Sequence, residues 1–471
     1  MILSKVIGLS RETILPKSTI VPPPRQTALK ILRAIDEDGA YTDVALRQTL
    51  AQTNYCRRDR AFITECVYGT VRWQGRIDWL LRQVCRRPLL SLTPWIRNAL
   101  RLGVYQCLWM DRIPTHAAVY ETVCLSRHFG HAGTARLVNG VLRNLMRQHT
   151  TYQLPEAKTQ PAAHLAIAHS HPEWLVTRWL QRYGWERTRD ICLANNRQGS
   201  VTLRTNTLLT SPSQLAKQLA QEGIARIQLS KLQPDALIVQ GTQRLDALPS
   251  YRDGLFQIQD QAAMLVAPLC NPKPGQRVLD VCAAPGGKTT HLAHLMHDDG
   301  MLLACDVSPG RLRMLRHHIV RLRLSSVMTV AVDATRTLPV QGKFDRILVD
   351  APCSGLGVLR HHPDIKWRKS PDDFATLQAT QLRLLHSQYS LLAPDGYMIY
   401  SVCSYEPEET REVVAQFLTA HPDMQLDAMM TDLPSPLRRH IQPLDVLELT
   451  PEQWHTDGVF VARFCRKSSL S

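Results

Sequence analysis

Between Arg25 and Arg147 the apolar residues recur at helical spacing. Leu29, Leu32 and Ile35 form one stripe, Val44, Leu46 and Leu50 a looser one, and Ile77, Leu80, Leu81 and Val84 a third. Period-two runs are scarce there, so the pattern predicts an all-helical domain over residues 24–148, behind a loose leader, residues 1–23, that runs into Pro22-Pro-Pro24. A Thr/Gln/Pro stretch makes 149–170 a linker. His171-Pro-Glu-Trp-Leu175 then opens a helical segment to about Asn196, and Val201-Thr-Leu-Arg-Thr-Asn206 and Ala236-Leu-Ile-Val239 read as strands. These make residues 171–270 a small mixed α/β subdomain.

From Gln276 the pattern changes. Apolar runs at 277–281, 301–305, 327–332, 344–349 and 397–401 are separated by helical segments of ten residues or more, as crossovers of a mainly parallel sheet require. Residues 271–467 are therefore expected to form a doubly wound α/β domain, closed by an antiparallel strand at Gly458-Val-Phe-Val-Ala-Arg-Phe464. Asp306, Asp333 and Asp350 end three of the runs and should emerge at one rim. Asp333 taken alone reads equally as a helix cap.

Leu279-Asp-Val-Cys-Ala-Ala-Pro-Gly-Gly-Lys-Thr-Thr290 joins the first of these strands to a helix. Such a turn bares backbone N–H groups at a helix N-terminus, at the sheet edge where open α/β sheets bind ligands. A phosphate loop needs Gly-x-x-x-x-Gly-Lys-[Ser/Thr]. Gly287-Lys288-Thr289 supplies its end, but the position five before Gly287 is Cys282. The dinucleotide pattern Gly-x-Gly-x-x-Gly is absent too, while Asp306 supplies an acid about 20 residues on that suits a ribose diol.

That combination resembles the S-adenosylmethionine site of class I methyltransferases. Asp280-Val-Cys-Ala-Ala-Pro-Gly-Gly-Lys-Thr289 is similar to motif I of the NOL1/NOP2/Sun family of RNA cytosine-C5 methyltransferases. The resemblance implies a Rossmann-like catalytic domain with S-adenosylmethionine as cofactor. It puts Cys282, Ala283, Ala284, Pro285, Gly286, Gly287 and Lys288 at the methionine end, Asp306 on the ribose hydroxyls, Asp333 on the adenine amino group and Asp350 at the same rim. Arg58-Asp-Arg60, Tyr68-Gly-Thr-Val-Arg72, His116-Ala-Ala-Val-Tyr-Glu121 and Val138-Asn-Gly-Val-Leu-Arg143 resemble the all-α NusB-like RNA-binding domain that precedes the catalytic domain in the Sun/RsmB branch. Arg204-Thr-Asn206 and Gly254-Leu-Phe-Gln-Ile-Gln-Asp-Gln-Ala-Ala263 extend the likeness, although Arg204 also reads as a strand-edge charge.

The 471 residues carry a net charge of +15, and residues 1–150, with 22 Lys/Arg against 10 Asp/Glu, hold 12 of those charges. That asymmetry favours a polyanion, nucleic acid over membrane, since no apolar run approaches transmembrane length. Arg57, Arg58, Arg60, Arg72, Arg76, Arg82, Arg86 and Arg87 suit phosphates, with about half expected to face RNA and the others helix surface. Twelve cysteines without a Cys-x-x-Cys pair imply reduced thiols and no metal site. Met1 to Leu15 lacks a secretory core, so a cytoplasmic address is expected, with a weak organellar presequence left open by Lys5, Arg11 and Lys17.

Asp350-Ala-Pro-Cys353-Ser-Gly and Tyr400-Ser-Val-Cys403-Ser carry the expected chemistry, each cysteine following a strand directly. C5 of cytosine is too electron-poor to attack a sulfonium methyl unaided, so a nucleophile must first add at C6, and a thiolate both adds well and leaves again. Asp350, three residues before Cys353, suits protonation of or hydrogen bonding to the ring N3. The resemblance makes Cys403 the nucleophile and Cys353 the thiol that assists product release. Val402 stands where the family's motif has threonine, which removes a hydroxyl beside the nucleophile.

Other signals read less specifically. Arg360, Lys366 and Arg368 around Trp367 suit phosphate contact or a splayed base, with core packing of Trp367 the simpler reading. His291, His294 and His297 read as helix surface, and Arg311, Arg313, Arg316, Arg321 and Arg323 as the solvated side of one helix. The resemblance favours a monomeric methyltransferase acting on a cytosine C5 of small-subunit (16S-type) ribosomal RNA. A transfer-RNA cytosine-C5 enzyme and a non-catalytic RNA-binding assembly factor stay open.

Overall fold

A computed structural model describes residues 23–240, 244–428, 433–438 and 445–467, so the leader up to residue 22 lies outside the described residues. Two compact units form, one from residues up to Val67 with 90–143, the other from 68–89 with 144 onward. The first holds α1 (Pro24–Glu37), α2 (Thr42–Ala51), most of α3 (Arg57–Arg72), α5 (Pro94–Trp109), α6 (Thr115–His128) and most of α7 (Ala132–Gln148). Pro24 and Pro94 each open a helix, where the missing N–H costs nothing. Leu29, Leu32, Leu46 and Leu50 of the first two predicted stripes are buried, as are Ile63, Leu100, Val138 and Leu142, while Ile35 and Val44 are half-buried. Of the eight arginines singled out, 57, 58, 82, 86 and 87 are exposed, whereas Arg60 bonds the Leu50 carbonyl, Arg72 is buried and Arg76 lies over Trp79.

The second unit begins with the end of α3 and with α4 (Gln74–Val84), and continues into α8 (Pro161–Ala168) and α9 (Glu173–Asn196), the latter interrupted at Gly184. Helix α8 lies inside the predicted linker. Apart from His164 its residues are apolar, and one polar position does not reveal a period. The small sheet is β2 (Arg226–Leu229), β3 (Ala236–Gln240), β1 (Val201–Thr205) and β4 (Phe256–Ile258) in that order, with α10 (Pro212–Gln221) and α11 (Pro249–Arg252) beside it. Leu203, Leu215, Leu219, Leu237 and Phe256 form its core.

The large sheet is mixed, in the order β10 (Met424–Leu426), β12 (Val459–Arg466), β9 (Leu392–Val402), β8 (Phe344–Asp350), β5 (Arg277–Asp280), β6 (Met301–Asp306), β7 (Val327–Ala331), with β11 (Val446–Leu449) also paired to β12. Strands β5 to β9 are parallel, and β12 runs antiparallel to β9, as expected of the closing strand. Val278, Leu348 and Ile399 pack on one face with α12 (Gln261–Cys270), α13 (Gly287–Leu295) and α14 (Pro309–Arg321). Leu279, Ile347, Val349 and Tyr400 pack on the other with α16 (Asp373–Tyr389) and α17 (Arg411–Ala420). Burial on both faces is why these strands read as unbroken apolar runs. Strand β9 starts five residues earlier than its apolar run, because Pro394-Asp-Gly396 near a register shift obscures it.

Helix α9 fixes the chain after β9. Trp179, fully buried, donates its indole N–H to Glu406 Oε1 at 2.9 Å, and Arg178 holds Glu406 Oε2 at 3.0 Å and Glu408 at 2.7 Å. Burial pushes the Glu406 carboxyl up despite these donors. Trp179→Phe keeps a ring but orphans Glu406 Oε1, and we expect a loss of about 1–3 kcal/mol in a urea titration at neutral pH. An unchanged midpoint would contradict this role for the indole.

Candidate active site

The glycine loop lies between β5 and α13. Gly286 has φ +109°, and a Cβ there would run into Leu315 of α14, so glycine is required both by conformation and by space. The loop is tied to neighbouring strands through Val281 N–H to the Leu348 carbonyl (2.9 Å) and Ala283 N–H to the Cys305 carbonyl (2.7 Å). Asp306, at the end of β6, is 3 % exposed, and its two oxygens accept from the N–H groups of Ala284 (3.2 Å) and Ser308 (2.8 Å). Asp333 is more open and bonds Thr335. A cavity of about 550 Å³ opens here, lined by Val281, Cys282, Asp306, Val332, Asp333 and Pro352 among others, so two of the three strand-end acids share one pocket.

Two supports of this loop and one of the cysteine loops were not assigned from the sequence. Thr289 donates to Asp280 Oδ2 at 2.7 Å, and burial pushes the Asp280 carboxyl up to about 7. Arg204, 1 % exposed, donates to the Gly287 carbonyl, to Gln259 and, at 2.8 Å, to Thr290 Oγ1. It is therefore no strand-edge charge, and burial lowers it to about 9. The recurrence of the Arg-x-Asn element beside the loop was the available signal. Glu409 is the third, buried beneath both cysteine loops.

The third acid and both cysteines meet next to Lys288. Lys288 Nζ lies 2.5 Å from Asp350 Oδ1, and Cys353 Sγ lies 3.1 Å from Cys403 Sγ. The loops after β8 and β9 are held together by Ala351 N–H to the Ser401 carbonyl (2.9 Å) and Gly357 N–H to the Cys403 carbonyl (2.9 Å). A Cβ on Gly357 would press on that same carbonyl at 2.8 Å, which explains a glycine there. Burial works against the charge on Lys288, but Asp350 outweighs it and holds the ammonium above its usual range. The hydrogen bond with Cys353 lowers the Cys403 thiol despite burial, and the Lys288 charge lowers it further. Cys353 is raised well above the usual range by the same bond and by burial. The pair is therefore electrostatically unequal. Val402 is fully buried in the apolar cluster of the sheet.

Several predicted surface residues are internal. His291 and His294 are each 4 % exposed and face the Arg204 charge, with burial driving both far down, to about 2 for His294. Arg321 is buried and donates to the carbonyls of Tyr251 (2.8 Å) and Phe256 (2.9 Å), whereas Arg311, Arg313, Arg316 and Arg323 are exposed as expected. Helical periodicity gave no sign that the small sheet packs on this side of α13 and α14. Lys366 is 1 % exposed and donates to the Arg72 carbonyl (3.0 Å), Trp367 donates to the Val71 carbonyl (2.9 Å), and Arg360 is buried. Arg368 pairs with Asp364 at 3.1 Å. The segment is packed against the end of α3, so the expected phosphate contact does not hold for Arg360 and Lys366, and Trp367 is half-buried there with its indole N–H on a backbone carbonyl.

A doubly wound sheet with parallel strands β5 to β9, a glycine loop after β5 and acids at the end of β6 and just past β7 defines a class I methyltransferase fold. Residues 267–465 match the 16S rRNA methyltransferase RsmB/F family, 22–147 the NusB family and 171–246 the ferredoxin-like domain of RsmF/B-like methyltransferases. The chain is 34 % identical over 447 residues to the probable ribosomal RNA small subunit methyltransferase B of Bacillus subtilis, covering 94 % of this chain and 98 % of that one. It is 36 % identical over 441 residues to the protein of the same name from Synechocystis, covering 93 % and 98 %. The crystal structure of PH0851 superposes with a TM-score of 0.80 at 26 % identity, covering 95 % of this chain and all of that one. The chain thus belongs to the RsmB/F methyltransferase family. Among the described residues no helix is long and apolar enough to cross a membrane.

Arg204→Met removes the donors that hold the Gly287 carbonyl and Thr290. We expect S-adenosylhomocysteine to bind about tenfold more weakly by calorimetry, the scale of one charged hydrogen-bond network lost. Unchanged affinity would mean that the loop holds its shape without the guanidinium.

Proposed function

We propose that the protein transfers a methyl group from S-adenosylmethionine to C5 of a cytosine in small-subunit ribosomal RNA, through a covalent bond between Cys403 and C6 of the base. The observation that carries this reading is the thiol pair, 3.1 Å apart, beside the Lys288–Asp350 ion pair. A methyl transfer to oxygen or nitrogen has no need of two thiols. The ribosomal substrate is drawn from the names of the relatives and from the NusB match.

The cavity fits an adenosyl group. Val281, Val332, Ala334 and Leu384 offer an apolar slot, and Asp306 and Asp333 offer acceptors for ribose and adenine. S-adenosylmethionine supplies an electrophilic methyl when bound, and the protein's residues do the rest. Lys288 stabilises the Cys403 thiolate, which adds to C6 and pushes electron density toward C5. Asp350 is the group suited to the ring N3, where charge develops. After methyl transfer a base takes the C5 proton as the C6–S bond opens and Cys403 leaves as a thiolate, and Cys353, the thiol beside that bond, assists its release. The target base must be unstacked to reach both thiols, so a loop or extruded nucleotide is the substrate.

Labelled S-adenosylmethionine with unmodified ribosomal and transfer RNA tests the reading. Wild type should form 5-methylcytidine in small-subunit rRNA, Cys403→Ala none, and Cys353→Ala a gel-retained protein–RNA adduct. Product in transfer RNA alone would overturn the substrate, and an adduct accumulated by Cys403→Ala would exchange the thiol roles.

The unequal thiols give a pH dependence. The rate of adduct formation should rise with pH as Cys403 ionises, with a midpoint below the ordinary thiol value of about 8.5. Lys288→Met removes a cation that favours the thiolate, so the midpoint should move to higher pH in single-turnover assays. A midpoint that stays or falls would remove Lys288 from this role.

A further inference from the structure

Glu409 takes no part in the chemistry above, yet it is completely buried at the end of the turn Pro407–Glu409, just before α17. Its carboxylate collects donors from both cysteine loops. Oε1 accepts from the Ser354 N–H at 2.6 Å and from Gln381 Nε2 at 3.3 Å. Oε2 accepts from Ser354 Oγ at 2.5 Å and Ser404 Oγ at 2.6 Å, and these two hydroxyls lie 3.2 Å apart. Ser354 and Ser404 each follow a cysteine directly, so one carboxylate joins the residues next to both thiols. Gln381 reaches the Pro352 carbonyl at 2.9 Å, and Tyr400 donates to the backbone carbonyl of Glu409 itself at 2.6 Å. Gln381 and Glu409 are therefore each held from a second side.

We propose that Glu409 is a positioning residue whose carboxylate clamps the two cysteine loops together and so sets the Cys353–Cys403 separation. A serine-to-serine bond alone would offer one weak contact, whereas an anion accepting several short bonds holds both loops in register. Electrostatics argue against a different role. A negative charge near both thiols opposes thiolate formation at each of them, so Glu409 does not activate either cysteine. Its contribution is geometric. The kinetic consequence rests on the methyl-transfer reading, while the clamp itself does not.

The test uses the full chain and reads the clamp in two ways. Diamide, an azo oxidant, takes two electrons and two protons from a close thiol pair, forming the S–S bond as its N=N bond is reduced to a hydrazine. Wild type should close the Cys353–Cys403 disulfide rapidly, seen as a cross-linked peptide by mass spectrometry. Glu409→Ala and Glu409→Gln should close it about tenfold more slowly, because intramolecular rate follows the positioning of the partners. In methyl transfer the same variants should lose about a hundredfold in kcat, the cost of a misplacement of about 1 Å, while KM for S-adenosylmethionine holds. Loss of the Glu409 charge should also move the pH midpoint of Glu409→Gln down, a shift that mere loss of folding would not produce. If Glu409→Ala fails to fold, Glu409→Gln decides. Disulfide closure at the wild-type rate in a folded variant overturns the proposal. A slowed closure in a protein that methylates no RNA upholds the clamp and instead sinks the methyl-transfer reading.

Discussion

Strands β5, β8 and β9 lie side by side and run in one direction, so their carboxyl ends reach the same rim. Everything at the candidate site hangs on that register. Asp280 pairs with Leu348, and Asp350 pairs with Ser401, so residues a few positions further on emerge level with each other. That is how Lys288, in the first turn of α13, meets Asp350 and two cysteines fifty residues apart. A slip of one residue in any pair would turn each apolar side chain to the opposite face of a sheet packed on both sides. The core therefore enforces the geometry of the rim.

Within the rim, charge makes two identical thiols unequal. The Cys353–Cys403 hydrogen bond and the Lys288 ammonium favour ionisation of Cys403, while Cys353 keeps its proton. Asp350, at the end of β8, holds Lys288 of α13 charged despite its burial. Beneath the glycine loop, likewise, the buried Arg204 satisfies the Gly287 carbonyl and the Thr290 hydroxyl.

The sequence displayed those features that lie in a contiguous stretch. The alternation of strands and helices after Gln276, the glycine loop, the strand-end acids and both cysteine motifs could be read because each is local. What escaped is what depends on partners distant in sequence. His291, His294 and Arg321 have the spacing of a helix surface and are buried, because the small sheet formed by residues 201–258 covers them. Lys366 and Arg360 carry charge like a nucleic-acid contact, but Lys366 donates to a backbone carbonyl at the end of α3 and Arg360 is buried. Helix α8 hid in an apolar stretch without contrast, and β9 began behind a Pro-Asp-Gly that reads as a turn. Glu409 was invisible because its donors sit on two loops that only the fold unites.

We propose that Cys403, and not Cys353, bonds to the base. Incubating the wild-type protein and S-adenosylmethionine with small-subunit rRNA containing 5-fluorocytidine tests it most directly, since fluorine in place of the C5 proton prevents the release step. Digestion and mass spectrometry should find a methylated fluorocytidine attached to the peptide bearing Cys403. Attachment to the Cys353 peptide, or the absence of any adduct on an RNA that is methylated when unfluorinated, would contradict the account.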